Sequence, residues 1–145
     1  MASMVDSKTK QLDPASIVAT ALENTKSKYP PQVAMPAIMT EMSQPNTDVK
    51  QIGNTLFILH KGKEGQSFFK ALNADTARNF FENSRQYVVY AKKNLKQNML
   101  VTEFQDPAIS TLFKAISKSP PMAGMGYKEY KTTDGGRRIV LNLGA

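Results

Sequence analysis

The sequence predicts one α/β domain of four helices and six strands, and three patterns carry that expectation. Asp13-Pro14 and Asp106-Pro107 each set a side-chain acceptor before a proline at the first helical position, an arrangement that starts a helix. Residues 49–72 change to short apolar segments separated by Gly53-Asn54 and by Gly62-Lys63-Glu64-Gly65, which reads as consecutive antiparallel strands. From Phe80 to Leu95 the apolar residues return at offsets of three and four, the period of one long amphipathic helix.

Taken in order, the first helix buries Ile17, Val18, Ala21 and Leu22 and stops before Pro30-Pro31. A shorter second helix follows Pro36, buries Ile38, Met39 and Met42, and ends near Pro45-Asn46. Strands are expected at Val49–Gly53, Leu56–His60 and Ser67–Leu72. The long helix takes Asp75 as its cap, turns Phe80, Phe81, Ser84, Tyr87, Val88, Ala91 and Leu95 inward, and leaves Arg78, Glu82, Arg85, Lys92 and Lys93 to solvent. A strand at Met99–Phe104 leads to a helix with Ile109, Leu112, Phe113 and Ile116 on its buried stripe, broken at Ser119-Pro120-Pro121. The chain closes with a hairpin, Tyr127–Thr132 and Arg138–Leu143, around Thr133-Asp134-Gly135-Gly136. Residues 1–12 are a polar arm, and residues 13–145 form the domain.

Composition narrows the function classes. At 145 residues and 41% hydrophobic content the chain can bury one core. With no cysteine and the single His60, disulfides, thiolate metal sites and multi-histidine metal sites are excluded. Met1 to Leu12 has no apolar stretch of the signal-peptide kind, and no run approaches a membrane span, so a soluble protein made in the cytoplasm is expected. The net charge of +7 favours acidic partners, but the lysines and arginines are scattered and no nucleic-acid-binding motif accompanies them. Solvated lysines are the better reading, with nucleic-acid contact ranked last. Gly62 and Gly65 suit a hairpin better than a phosphate cradle, because no helix follows them directly.

Asp106-Pro107-Ala108, Ile109, Leu112-Phe113, Ile116 and then Gly126-Tyr127 resemble the C-terminal signature of the GCN5-related N-acetyltransferase (GNAT) family. There a short helix leads through a Leu-Tyr pair to a Gly-Phe that begins the next strand. The resemblance implies a mixed, mostly antiparallel central sheet, splayed near its middle and flanked by about four helices. Only the family's first strand lacks a counterpart. It also implies where acetyl-CoA would be held, in the stretch Asn73-Ala74-Asp75-Thr76-Ala77-Arg78-Asn79-Phe80. That stretch has no glycine, Asp75 would set a carboxylate beside the phosphates, and Arg78 compensates only in part.

Phe113 stands where the family has the tyrosine that protonates the departing thiolate. Tyr87, Tyr90, Tyr127 and Tyr130 are the other candidate acids, and Glu103, His60 and Glu64 the candidate bases, each read as structural. On this reading no catalytic, cofactor-binding or metal residue is assigned, and acetyl-CoA is expected not to bind. Lys128 to Gly144 is similar to the end of internal virion proteins of short-tailed phages. The favoured expectation is therefore a non-catalytic structural component of a phage virion (capsid, core or tail) on a degenerate acetyltransferase scaffold. It would have protein partners in a larger assembly, and its arm, with Lys8 and Lys10, would order against an acidic one. The alternative is an acetyl-CoA-dependent N-acetyltransferase acting on an amine.

Overall fold

The structure, a computed structural model, describes residues 11–25, 30–104, 106–119 and 125–144. Helix α1 (Pro14–Thr25) begins as expected, with Asp13 Oδ1 accepting from Ser16 N at 2.7 Å. Helix α2 (Pro31–Met42) differs from expectation. It starts at Pro31, which suits the first helical position because the N–H missing there has no intrahelical partner in any case, and Pro36 lies inside the helix. Ile38 is buried, but Met39 is 44% exposed and so does not belong to the inward stripe.

The meander consists of β1 (Thr47–Ile52), β2 (Thr55–Lys61) and β3 (Gln66–Asn73), paired antiparallel. Gly53 makes the first turn at φ +58°, a left-handed conformation that suits glycine. Helix α3 (Ala77–Lys93) follows, then β4 (Met99–Phe104), α4 (Pro107–Lys118), β5 (Gly126–Lys131) and β6 (Arg137–Asn142). Asp106 Oδ1 accepts from Ala108 N at 3.0 Å to start α4. The cap of α3 is Thr76 rather than Asp75: its hydroxyl accepts from Asn79 N at 3.2 Å. Both residues are competent caps, and the carboxylate of Asp75 is taken up elsewhere.

The six-stranded sheet runs β1-β2-β3-β4-β6-β5, and only β3 and β4 are parallel. This is the mixed, mostly antiparallel α/β architecture, with four α-helices among the described residues. Strand β2 is covered on both faces. Leu56 and Ile58 pack with Ile17, Val18 and Ile38 from α1 and α2, whereas Phe57 and Leu59 pack with Tyr87 and Val88 from α3. Tyr87 stacks on Phe57 with ring centroids 4.2 Å apart, and full burial of such a ring stabilises by about 2 kcal/mol or more. On the other half of the sheet, Leu100, Ile139 and Leu141 face α4, with Phe113 and Ile116. The alternate positions Glu103 and Arg138 point to the opposite face and are exposed.

The end of the polar arm is docked. Leu12 N donates to Asn54 Oδ1 at 2.8 Å, Gln51 Nε2 donates to Leu12 O at 2.9 Å, and Gln11 Nε2 donates to Gly53 O at 2.8 Å. Lys8 and Lys10 lie outside the described residues.

Candidate functional site

Strands β3 and β4 pair over three rungs only: Gln66 with Met99, Ser67 with Leu100 and Phe68 with Val101. Beyond Val101 they separate, because β3 stays on β2 as far as Asn73 while β4 stays on β6 as far as Phe104. The closed end is pinned. The Ser67 hydroxyl donates to Gln97 Oε1, and Asn98 N donates to Gly65 O at 2.9 Å. A wedge therefore opens along Phe69–Asn73 on one wall and Thr102–Phe104 on the other. Phe113, 2% exposed, meets Phe69 edge-on at 5.7 Å and closes the vertex on the α4 side. The edge of β3 from Phe69 to Asn73 has no strand partner on its β4 side among the described residues, so its N–H and C=O groups are available to a ligand.

The mouth of the wedge meets the start of α3. Thr76 accepts from Asn79 N with its side chain and from Phe80 N with its carbonyl, which leaves the N–H groups of Ala77 and Arg78 without intrahelical acceptors at the positive end of the helix dipole. The Arg78 side chain is exposed. The Asp75 carboxylate, expected beside the phosphates, is held by hydrogen bonds from two sides. Asp75 Oδ2 accepts from Asn54 N and from Asn83 Nδ2, both at 2.8 Å. Asn83 Nδ2 also reaches Thr55 Oγ1 at 3.0 Å, and Thr55 Oγ1 donates to Asn73 Oδ1 at 2.8 Å. This network joins the β1–β2 turn, the loop after β3 and the second turn of α3.

On the opposite rim, a cleft of about 610 Å³ lies between β4 and the β5–β6 turn, lined by Glu103, Tyr130, Lys131, Asp134, Arg138 and Val140. Glu103 stands on the splayed end of β4. Arg138 Nε donates to its Oε2 at 2.7 Å, and Arg138 Nη2 donates to the same oxygen. Among the described residues no group donates to Oε1, which leaves its lone pairs for an incoming donor.

The remaining candidates are placed elsewhere. Tyr87 is fully buried in the core, and burial, then the charge of Asp48, pushes its hydroxyl far above the usual range. Tyr90 is raised by burial and by Asp48, and Lys50 Nζ sits 4.8 Å from its ring centroid. Tyr127 donates to Glu129 Oε1 at 2.7 Å and to Ser110 O at 3.2 Å, tying β5 to α4, and burial with Glu129 raises its hydroxyl too. His60 Nε2 lies 2.6 Å from Glu41 Oε2, and Lys70 Nζ lies 2.9 Å from Glu41 Oε1, a clip that fastens α2 to β2 and β3. Burial pushes Glu41 up, but its bonds to Lys70 and His60 outweigh that and hold it below the usual glutamate value. The side chain of Glu64 lies outside the described residues. Among the described residues, no three acidic or imidazole groups gather to hold a metal. Asn54 and Asn83 are missed by the sequence reading. The only signal for Asn83 is a polar residue three positions after Phe80, on the stripe that faces the core.

No protein-family model matches the sequence, and no curated protein does. Solved structures do resemble the fold. A mutant of spermidine N-acetyltransferase from Vibrio cholerae superposes with a TM-score of 0.57 at 10% identity, covering 92% of this chain and 94% of that one. The ribosomal-protein-S18-alanine N-acetyltransferase of Escherichia coli gives 0.55 at 13% identity, covering 94% of this chain and 93% of that one. A GNAT-family acetyltransferase from Bacillus anthracis gives 0.50 at 12%, over 88% and 82%.

These likenesses correct the expectation of a non-catalytic phage virion component. The structural neighbours are acetyltransferases, and nothing among them supports a virion role, virion partners or a degenerate scaffold. In the described residues no helix is long and apolar enough to cross a membrane. With its meander, its parallel β3–β4 pair that splays after three rungs and its terminal hairpin, the chain has a GCN5-related N-acetyltransferase-like fold.

Proposed function

We propose that this chain transfers an acetyl group from acetyl-CoA to an amine. The observation that carries the reading is the early separation of β3 and β4, which leaves a free backbone edge running toward the start of a helix. The residues present suit that cofactor. A pantetheine arm carries amide groups that need extended backbone partners, and Phe69–Asn73 offer such an edge. A pyrophosphate needs N–H donors at positive potential, and Ala77, Arg78 and the Arg78 guanidinium supply them. The Asp75 carboxylate is fixed by the neutral donors Asn54 N and Asn83 Nδ2, which hold it against the β1–β2 turn.

Acetyl-CoA, when bound, supplies the acyl thioester. The chain supplies placement and proton handling. Glu103, on the splayed end of β4 and fixed through Oε2 by Arg138, takes the proton of the acceptor amine at Oε1, directly or through a water. Phe113 keeps the vertex apolar and offers no proton, so the proton for the departing thiolate comes from solvent. Tyr130, 50% exposed in the same cleft, gives the acceptor an aromatic wall. The catalytic unit is residues 13–145, and the arm of residues 1–12 braces the β1–β2 turn through its last two residues.

The test is release of free CoA thiol from acetyl-CoA in the presence of an amine. With no cysteine in the chain, a thiol reagent sees only product. Two acceptors follow the chemistry in the neighbours' names, spermidine and a peptide beginning with alanine. The expected result is thiol release that depends on one of these amines, with the amine gaining one acetyl group by mass spectrometry. Release no faster than in the amine-free control, together with no calorimetric binding of acetyl-CoA, overturns the reading.

A further inference from the structure

The network around Asp75 ties three segments of the chain together. Asp75 Oδ2 receives one donor from the β1–β2 turn (Asn54 N, 2.8 Å) and one from α3 (Asn83 Nδ2, 2.8 Å). Asp75 N and the carbonyl of Asp75 are both held by the side chain of Asn73, at 3.0 Å each. Asp75 Oδ1 accepts from Asn79 Nδ2 at 3.4 Å, so every polar group of the residue that precedes the α3 cap has a partner. Asn83 is 7% exposed, so its amide is committed to this cluster rather than to solvent. The turn packs tightly on the pair: a Cβ added to Gly53 would come within 2.8 Å of Asn83 Nδ2 and 2.9 Å of Asp75 Oδ2, at a φ of +58° that side chains resist.

Resting on the transferase reading above, we infer that Asp75 and Asn83 are positioning residues for the pyrophosphate half of acetyl-CoA. They brace a glycine-free loop against the β1–β2 turn so that the N–H groups of Ala77 and Arg78 stay aimed at the mouth of the wedge. A loop that lacks glycine cannot bring its backbone to an anion by flexing. It can do so by being held in one conformation from behind. The bracing side chains touch no substrate, and their effect is confined to the phosphate end of the ligand.

The experiment compares acetyl-CoA with S-acetylpantetheine, which has the thioester arm but no pyrophosphate, on wild type and on Asp75→Asn. The substitution keeps the shape, removes the negative charge that strengthens the bonds from Asn54 N and Asn83 Nδ2, and sets an NH2 group against Asn79 Nδ2, which donates to Asp75 Oδ1 in the wild type. The expected result is about tenfold weaker binding of acetyl-CoA. Affinity for S-acetylpantetheine stays unchanged, and the KM for acetyl-CoA rises while kcat stays within about twofold of wild type. If the carboxylate instead acts as a repelling charge beside the phosphates, Asp75→Asn binds acetyl-CoA as tightly or more tightly, and the inference is overturned while the transferase reading stands. Failure of wild type to bind acetyl-CoA overturns both. Should Asp75→Asn miss the wild-type circular dichroism spectrum, Asn83→Ser, which removes one donor to the carboxylate, carries the measurement: weaker acetyl-CoA binding with unchanged S-acetylpantetheine binding is expected, and unchanged acetyl-CoA affinity overturns the inference.

Discussion

The two halves of the sheet are built to different rules. In the β1–β3 half both faces are covered, and β2 has five consecutive buried residues, Thr55 to Leu59. In the β4–β6–β5 half only the face toward α4 is sealed, and the other presents Glu103, Arg138 and Tyr130 to solvent. Strand β2 reads as a continuous apolar run and β6 as an alternation, as expected for strands buried on two faces and on one. The difference teaches where chemistry can reside. A ligand slot needs one wall that does not yield and one that can carry polar groups, and the wedge lies at the seam between the halves.

The comparison breaks most visibly on the sealed side. Phe57→Ala removes the ring on which Tyr87 stacks and should cost about 3 to 5 kcal/mol in a urea titration. Val140→Ala, on the half-open face, should cost less than about 1 kcal/mol. Equal losses at the two positions would erase the distinction between the halves.

On the open side the larger effect is on rate. Glu103→Gln should lower kcat/KM for the amine by about 100-fold, the usual scale for losing a general base, while leaving calorimetric affinity for acetyl-CoA unchanged. A loss confined to cofactor affinity would move Glu103 out of the acceptor cleft's chemistry.

At the seam, Phe113→Tyr places a hydroxyl in a fully enclosed vertex and should destabilise by about 1 to 3 kcal/mol. A neutral or stabilising result would mean that water or a polar group reaches that floor, and would restore a proton donor to the slot.

The smallest effect is electrostatic. The Glu41 carboxyl is lower in the folded chain than in the unfolded one, so its contribution is fully present above the unfolded value near 4.5 and is lost as pH falls through the folded value. Glu41→Gln should therefore flatten the acid side of the stability–pH curve and change little at neutral pH beyond loss of the partly exposed clip to His60 and Lys70. An unchanged acid limb in the variant would assign that slope to other carboxylates.

Element type and order are legible in the sequence because both are local. Asp13-Pro14, Asp106-Pro107 and the Phe80-to-Leu95 stripe announce themselves within one or two turns. Boundaries fail where two neighbours compete for one role. Pro31 and Pro36 both suit a helix start, and Asp75 and Thr76 are both good caps, so the choice depends on contacts outside the segment. The site is less legible still. The separation of β3 from β4 is a matter of register between strands 33 residues apart, Gln66 against Met99. Asp75 reads as a liability until Asn54 and Asn83, 21 and 8 residues away, are brought to it by the fold.

Among the described residues the sheet ends in two unpaired edges, β1 and β5, and this shapes how the protein behaves at high concentration. Strand β5 reads Gly-Tyr-Lys-Glu-Tyr-Lys, with Lys128 and Lys131 exposed. Lysines on both faces of this edge must be desolvated if a second strand adds there, which works against open-ended strand addition. Strand β1 carries Asp48 and Lys50 on one face and an exposed Val49 on the other, a less complete defence. Crowding-induced self-association should therefore begin at the meander's edge and leave the terminal hairpin free.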